Sequence, residues 1–313
     1  MTNIQSPSNS MWTSIQPDSN PARPMPLPWE QYSDHALAEW YALLGREPEE
    51  HEVQSFLELH PSMIPGGSGD VGPGGHHGSD MGAVFRRPRL IGAGRTFEPD
   101  FMWITRSSGL ITPILIEIEK PTKRWFRKDG RPTSDFTGAH DQLNDWRSWF
   151  AREGNKELFR ETFLFLGEKF KDRPLEPQFV LIYGRESEFN FGGGHANARE
   201  LRFKRDQQRA KDEMFMTFDA LRPRYDHSNS MTLTMTPQGP VVYAFSPVYG
   251  TGTGIGEGAL LLGDPKPALN RSVMMTDERR VYLAERWAHW QAFEEDKQNG
   301  RRPLLQSRAL GLE

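Results

Sequence analysis

The 313 residues carry 42 acidic and 38 basic side chains, a net charge of −4 that neither requires nor excludes nucleic acid, which needs only local basic faces. The absence of cysteine excludes disulfides, zinc–thiolate centres and thiol nucleophiles. No apolar run approaches the roughly 20 residues of a membrane span and no signal-peptide core opens the chain, so the cytoplasm is the expected compartment.

Residues 1–28 are rich in Ser, Asn, Pro and Gln without periodicity and read as a flexible arm, with Trp12 as its one large aromatic. From residue 33 the pattern turns helical, with Ala36, Leu37, Trp40, Leu43 and Leu44 at three-to-four spacing. A second helix is expected over 48–60, with Pro48 at its first position and Val53, Phe56 and Leu57 inward. Residues 65–82 form a glycine-rich loop whose His76 and His77 have no third metal ligand at a recognisable spacing, so a surface loop is expected. Residues 83–91 read as an edge or bulged strand broken by Pro88.

The most informative stretch is FEPDFMWITRSSGLITPILIEIEK, residues 97–120. Strand-like runs at 97–105 and 113–119 flank Arg106-Ser107-Ser108-Gly109, a hairpin connection. Residues two apart in a strand share a face, so Glu117 and Glu119 lie side by side, with Asp100 on the neighbouring strand. Three carboxylates at the end of a buried hairpin repel one another, which points to a hard divalent cation, Mg²⁺ or Mn²⁺. Beyond Pro121 come Lys123, Arg124, Arg127, Lys128 and Arg131 with Trp125 and Phe126 interleaved, a basic–aromatic segment suited to the DNA backbone.

Pro99-Asp100 followed by Glu117-Ile118-Glu119 and Lys120 resembles the PD-(D/E)xK nuclease signature. That resemblance implies a restriction-endonuclease-like fold, a mixed α/β sheet flanked by helices, with Asp100 and Glu117 as metal ligands and Glu119 as a further ligand or as the base that takes a proton from the attacking water. The pattern departs from the family at Glu119, which stands where the lysine is usual, and Lys120 comes one residue late. In an unbroken strand Lys120 points away from the acids, and it enters the site only if a bulge or the turn before Pro121 swings it round. The segment EHEVQSFLELHPSMI, from His51's neighbour Glu50 onward, resembles one that precedes the nuclease core in the Shedu family of anti-phage proteins. In nucleases of this fold the first helix often adds an acid, and Glu52 is the candidate, against a solvated helix face.

A helix over 138–152 carries Ala139, Leu143, Trp146 and Phe150 on one stripe. Gln142 borders that stripe and resembles a glutamine that orients water or phosphate in several PD-(D/E)xK branches; a core-edge glutamine is the alternative. His140 lies on another side of the helix. A buried strand at 178–184 ending in Tyr183-Gly184-Arg185, a basic helix at 196–213 and a strand at 214–221 follow the Shedu order across residues 50 to 222. The basic helix is a second DNA contact or a charged solvent face.

Beyond it, 231–235 and 241–246 form a hairpin. Residues 250–258 alternate glycine but lack the Gly-Lys-Ser/Thr ending of a phosphate loop, so a long flexible loop is expected. A final helix over 277–295 places Leu283, Trp287 and Trp290 on one stripe, either core or an oligomer interface. The Shedu resemblance implies a homo-oligomer. The expected organisation is an arm (1–28), a nuclease-like domain (29–225) and a C-terminal extension (226–313). The expected function is metal-dependent DNA cleavage or nicking in anti-phage defence, with a catalytically impaired scaffold that binds nucleic acid as the alternative.

Overall fold

In a computed structural model, the structure describes residues 14–15, 22–72, 78–92, 94–165, 170–252, 255–300 and 304–305. Trp12, His76 and His77 lie outside the described residues. The strands are β1 (Ser14–Ile15), β2 (Ser79–Arg86), β3 (Phe101–Arg106), β4 (Ile111–Ile118), β5 (Gln178–Ile182), β6 (Glu213–Met216), β7 (Met231–Thr236), β8 (Gly239–Phe245) and β9 (Leu304–Leu305). The helices are α1 (Trp29–Gly45), α2 (Glu50–Leu59), α3 (Ser134–Phe150), α4 (Glu153–Phe163), α5 (Ala198–Gln208), α6 (Gly256–Leu261), α7 (Lys266–Arg271) and α8 (Asp277–Gln298).

Seven strands form one mixed sheet in the order β6-β5-β4-β3-β2-β7-β8. β3 pairs antiparallel with both β2 and β4, whereas β4, β5 and β6 run parallel. β7 pairs in parallel with β2, so the chain beyond residue 226 continues the sheet of the segment before it. β1 and β9 make a separate two-stranded ladder.

β4 is buried along its whole length, as its β-branched apolar run requires. Its even-numbered Ile114, Ile116 and Ile118 face α1 and α2, packing with Trp40, Val53 and Leu57. Ile111 and Leu115 face the opposite side, where α3, α4 and α8 contribute Leu143, Trp146, Phe159 and Trp287. Helices therefore cover both faces of the sheet. By the same alternation Glu117 emerges on the α3 side at the carboxyl end of β4.

The C-terminal stripe has one fate. Leu283, Trp287 and Trp290 are each 1% exposed and lie within the chain's own core, so they are not an oligomer surface. Trp287 also donates through Nε1 to Ala259 O at 3.0 Å, tying α8 to α6. Residues 256–258 of that short helix fall in the stretch expected to be loop, and the sequence pattern predicts neither α4 nor α7. Pro48 precedes the α2 N-cap, Glu49, rather than opening the helix. The strand expected at 214–221 ends at Met216 and gives way to a 3₁₀ turn, Phe218–Ala220.

Candidate functional site

The β3–β4 ladder pairs Phe101 with Ile116 and Met102 with Leu115. Extending that register by one position sets Asp100 opposite Glu117. Asp100 Oδ2 accepts a 2.8 Å hydrogen bond from the Ile118 amide, which pins its carboxyl across the end of the hairpin. The two acids are thus placed together by strand pairing, 17 positions apart in sequence, with no need for an irregular backbone.

Their electrostatics are unfavourable. Burial raises the Asp100 carboxyl from its ordinary 3.8 to about 7, and the charges of Glu50 and Glu119 add to the rise despite the Ile118 bond. Burial also pushes Glu117 well above its ordinary value, reinforced by the charges of Asp100, Glu119 and Glu50. Gln142, reaching in from α3, hydrogen-bonds to Glu117 and offsets part of that rise. Four carboxyl groups are therefore within electrostatic reach of one another, two of them crowded face to face.

Glu50, rather than Glu52, is the acid that α2 brings to this group. Burial and then the charge of Glu119 raise its pKa. Glu52 instead turns back on its own helix, accepting from the Glu49 amide at 2.9 Å in a capping box.

Strand alternation holds for Lys120, and a different lysine reaches the acids. Lys120, on the far face from Glu117, reaches Glu49 Oε1 at 2.5 Å and stays out of the acid cluster. Lys123 is the cation at the cluster, donating to Glu119. Burial opposes its charge, but the hydrogen bond and charge of Glu119, with Asp135 and Glu50 beyond, raise its pKa overall. Glu119 is consequently held by Lys123, and among the described residues no three His, Asp or Glu side chains close into a ready metal cage. The Asp100–Glu117 pair remains a hard, all-oxygen donor set. It fits Mg²⁺, which binds through one or two carboxylates and completes its shell with water and substrate phosphate.

The basic segment separates into three parts. Arg124 folds onto a neighbouring loop, donating to Gly193 O at 2.5 Å and lying 3.1 Å from His195 Nε2. Arg127, Lys128 and Arg131 are exposed on a tight turn closed by the Phe126–Pro132 bridge. The interleaved Trp125 and Phe126 are fully buried, and their amides donate to Glu188 at 2.9 and 3.0 Å, so neither ring faces a ligand. On α5, Arg205 is also buried, over the Trp125 and Phe189 rings. His140 belongs to the fold: it binds Glu213 at 2.9 Å and stacks on Phe136.

Residues 47–221, more than half of the chain, match the family model described as Shedu protein SduA, C-terminal. The chain belongs to the Shedu family. The matched span begins just before α2 and ends after β6, so it encloses the acid pair, Glu50, Lys123, Gln142 and the basic turn. β7, β8 and the three helices after them lie outside the Shedu match, although the two strands share its sheet. No curated protein gives a significant match to the chain.

Proposed function

We propose that the protein is a metal-dependent DNA nuclease or nickase acting in anti-phage defence. Membership of the Shedu family suggests the defence role. The cleavage reading rests on one observation above the others: Asp100 and Glu117 face each other at the end of a buried hairpin, both carboxyls pushed upward, with the nearest ammonium given to Glu119. Such a pair is poorly stabilised by protein alone, and a divalent cation relieves it.

Asp100 and Glu117 would hold Mg²⁺ or Mn²⁺. The ion would polarise a phosphate oxygen and make bound water more acidic. Gln142 fixes the Glu117 carboxyl in its orientation. Glu119, poised between the pair and Lys123, accepts the proton of the attacking water. Lys123 places an ammonium next to that carboxylate, where negative charge on the phosphate develops, and so takes the part that the sequence offered to Lys120. Arg127, Lys128 and Arg131 project from the adjacent turn and bind flanking phosphates of DNA. Assembly as a homo-oligomer rests on the family resemblance alone, through a surface other than the buried α8 stripe. Among the described residues no helix is long and apolar enough to cross a membrane.

The alternative is a nuclease-fold scaffold that binds nucleic acid without cutting it. Glu119 in the place of the usual lysine, and Lys120 turned to Glu49, favour it. Incubation of supercoiled plasmid with the purified protein in Mg²⁺, Mn²⁺ or EDTA decides between them. Metal-dependent conversion to open-circular or linear DNA, lost in Asp100→Ala and Glu117→Ala, supports the nuclease. Retention of DNA without cleavage under every metal condition supports the scaffold.

A further inference from the structure

Beside the acid cluster, on the far side of Lys123, opens a cleft of about 730 Å³ lined by Lys123, Arg124, Arg185, Glu188 and Phe191, with glycines 192–194 at its rim. Phe191 is the most exposed large apolar side chain among the described residues, with a relative exposure of 110%. It projects from a loop that is otherwise firmly anchored. Glu188, buried beneath, accepts from the Trp125 and Phe126 amides and lies 3.0 Å from His195 Nε2. Arg124 bonds to Gly193 O, and a Cβ on Gly194 would come within 3.3 Å of its guanidinium. A Cβ on Gly193 would come within 2.4 Å of Ser187 O. Glycine at these positions lets the guanidinium and the loop backbone lie against each other.

The result is a rigid platform with an aromatic ring at its tip and a cation beneath it. Arg124 Nε lies 3.8 Å from Glu188 Oε1, a carboxylate already shared with the Trp125 and Phe126 amides, and 48% of the Arg124 side chain stays exposed. Lys123 reaches from this cleft to Glu119, so the cleft and the acid cluster share one wall. An exposed phenyl ring beside cations, continuous with a phosphodiester site, matches the chemistry of a nucleotide: a flat base to stack and a phosphate to pair.

We propose that this cleft is a nucleotide subsite, in which Phe191 stacks on an unpaired base and Arg124 receives its phosphate. The neighbouring phosphodiester then passes Lys123 to the Asp100–Glu117 pair. The inference rests on the nuclease reading for its account of the neighbouring site and adds a substrate class, DNA with at least one unpaired nucleotide. Bases inside a duplex already stack on each other and offer no face to Phe191.

The test measures binding in EDTA, where cleavage does not contribute. A short thymidine oligonucleotide containing one 2-aminopurine is titrated with wild type, Phe191→Ala and Phe191→Trp, beside a duplex of the same length. Phe191 is exposed, so neither variant disturbs the core. The expected result is a roughly 5- to 140-fold loss of single-strand affinity in Phe191→Ala, with loss of 2-aminopurine quenching, and retention of both in Phe191→Trp. Duplex affinity should be unchanged. Equal single-strand binding by Phe191→Ala and wild type overturns the subsite, as does failure of the wild type to bind the single strand. Plasmid cleavage by the same preparations separates the two readings. Cleavage with Phe191-independent binding removes only the subsite, whereas Phe191-dependent binding without any cleavage removes the nuclease and leaves the subsite standing.

Discussion

Replacing Asp100 by Asn should stabilise the metal-free protein. The folded-state value of the Asp100 carboxyl lies above its unfolded one, about 7 against 3.8. Its contribution to stability is therefore fully present below about pH 4 and is lost as pH rises through about 7. At pH 8 the cost of ionising it in the fold reaches roughly 4 kcal/mol as a ceiling. Rearrangement around the carboxylate and entry of water reduce the expected gain to about 2 kcal/mol. The Asn side-chain oxygen still accepts from the Ile118 amide, so no buried donor is orphaned by the change. In a chain of this size the gain corresponds to a rise in Tm of about 3 °C. Thermal unfolding followed by circular dichroism in EDTA at pH 8 measures it, and the gain should shrink towards zero by about pH 4. Added Mg²⁺ should then raise the Tm of the wild type but not of Asp100→Asn. A variant less stable than wild type at pH 8 without metal would refute the crowding argument, because the carboxylate would then be a structural acceptor.

Three further outcomes follow from the same geometry. Glu119→Ala should lose cleavage as fully as Glu117→Ala, while Lys120→Ala should keep it because Lys120 sits on Glu49; rates at saturating Mg²⁺ that show a dead Lys120→Ala beside an active Glu119→Ala reverse the assignment. Neutralising Arg127, Lys128 and Arg131 together should flatten the log–log salt dependence of DNA binding by about 0.9 for each phosphate contact removed, and an unchanged slope means that the turn faces away from DNA. Metal affinity, followed by calorimetry, should weaken as pH falls below about 7, since Asp100 must give up its proton to bind; an affinity flat between about pH 8 and pH 6 contradicts that role.

The hairpin was legible because β4 combines a β-branched run with acids at its end, a pattern that few other roles explain. Alternation alone also separates Lys120 from Glu117, and the structure shows where Lys120 goes instead. The acid on α2 was misread for a local reason. Glu52 lies three residues after the N-cap Glu49, and this capping-box spacing marks a side chain that turns back on its own helix, leaving Glu50 to face the site. Trp125 and Phe126 misled for a long-range reason. Their rings pack against Tyr183, Phe215 and Phe189, more than 50 residues later, which meet them only after β5 is laid beside β4. Lys123 could not be distinguished from its basic neighbours either, because its contact with Glu119 is made by the turn after β4 and not by any strand or helix period. The short helices α6 and α7 have only six residues each, too few for a periodic signal to stand out.

The central claim is that Asp100 and Glu117 form a divalent-metal centre, and Mn²⁺ titration followed by electron paramagnetic resonance tests it most directly. The account predicts saturable Mn²⁺ binding by the wild type at pH 8, displaced by Mg²⁺ and abolished in both Asp100→Asn and Glu117→Gln. Equal Mn²⁺ binding by all three proteins, or none by the wild type, would contradict it.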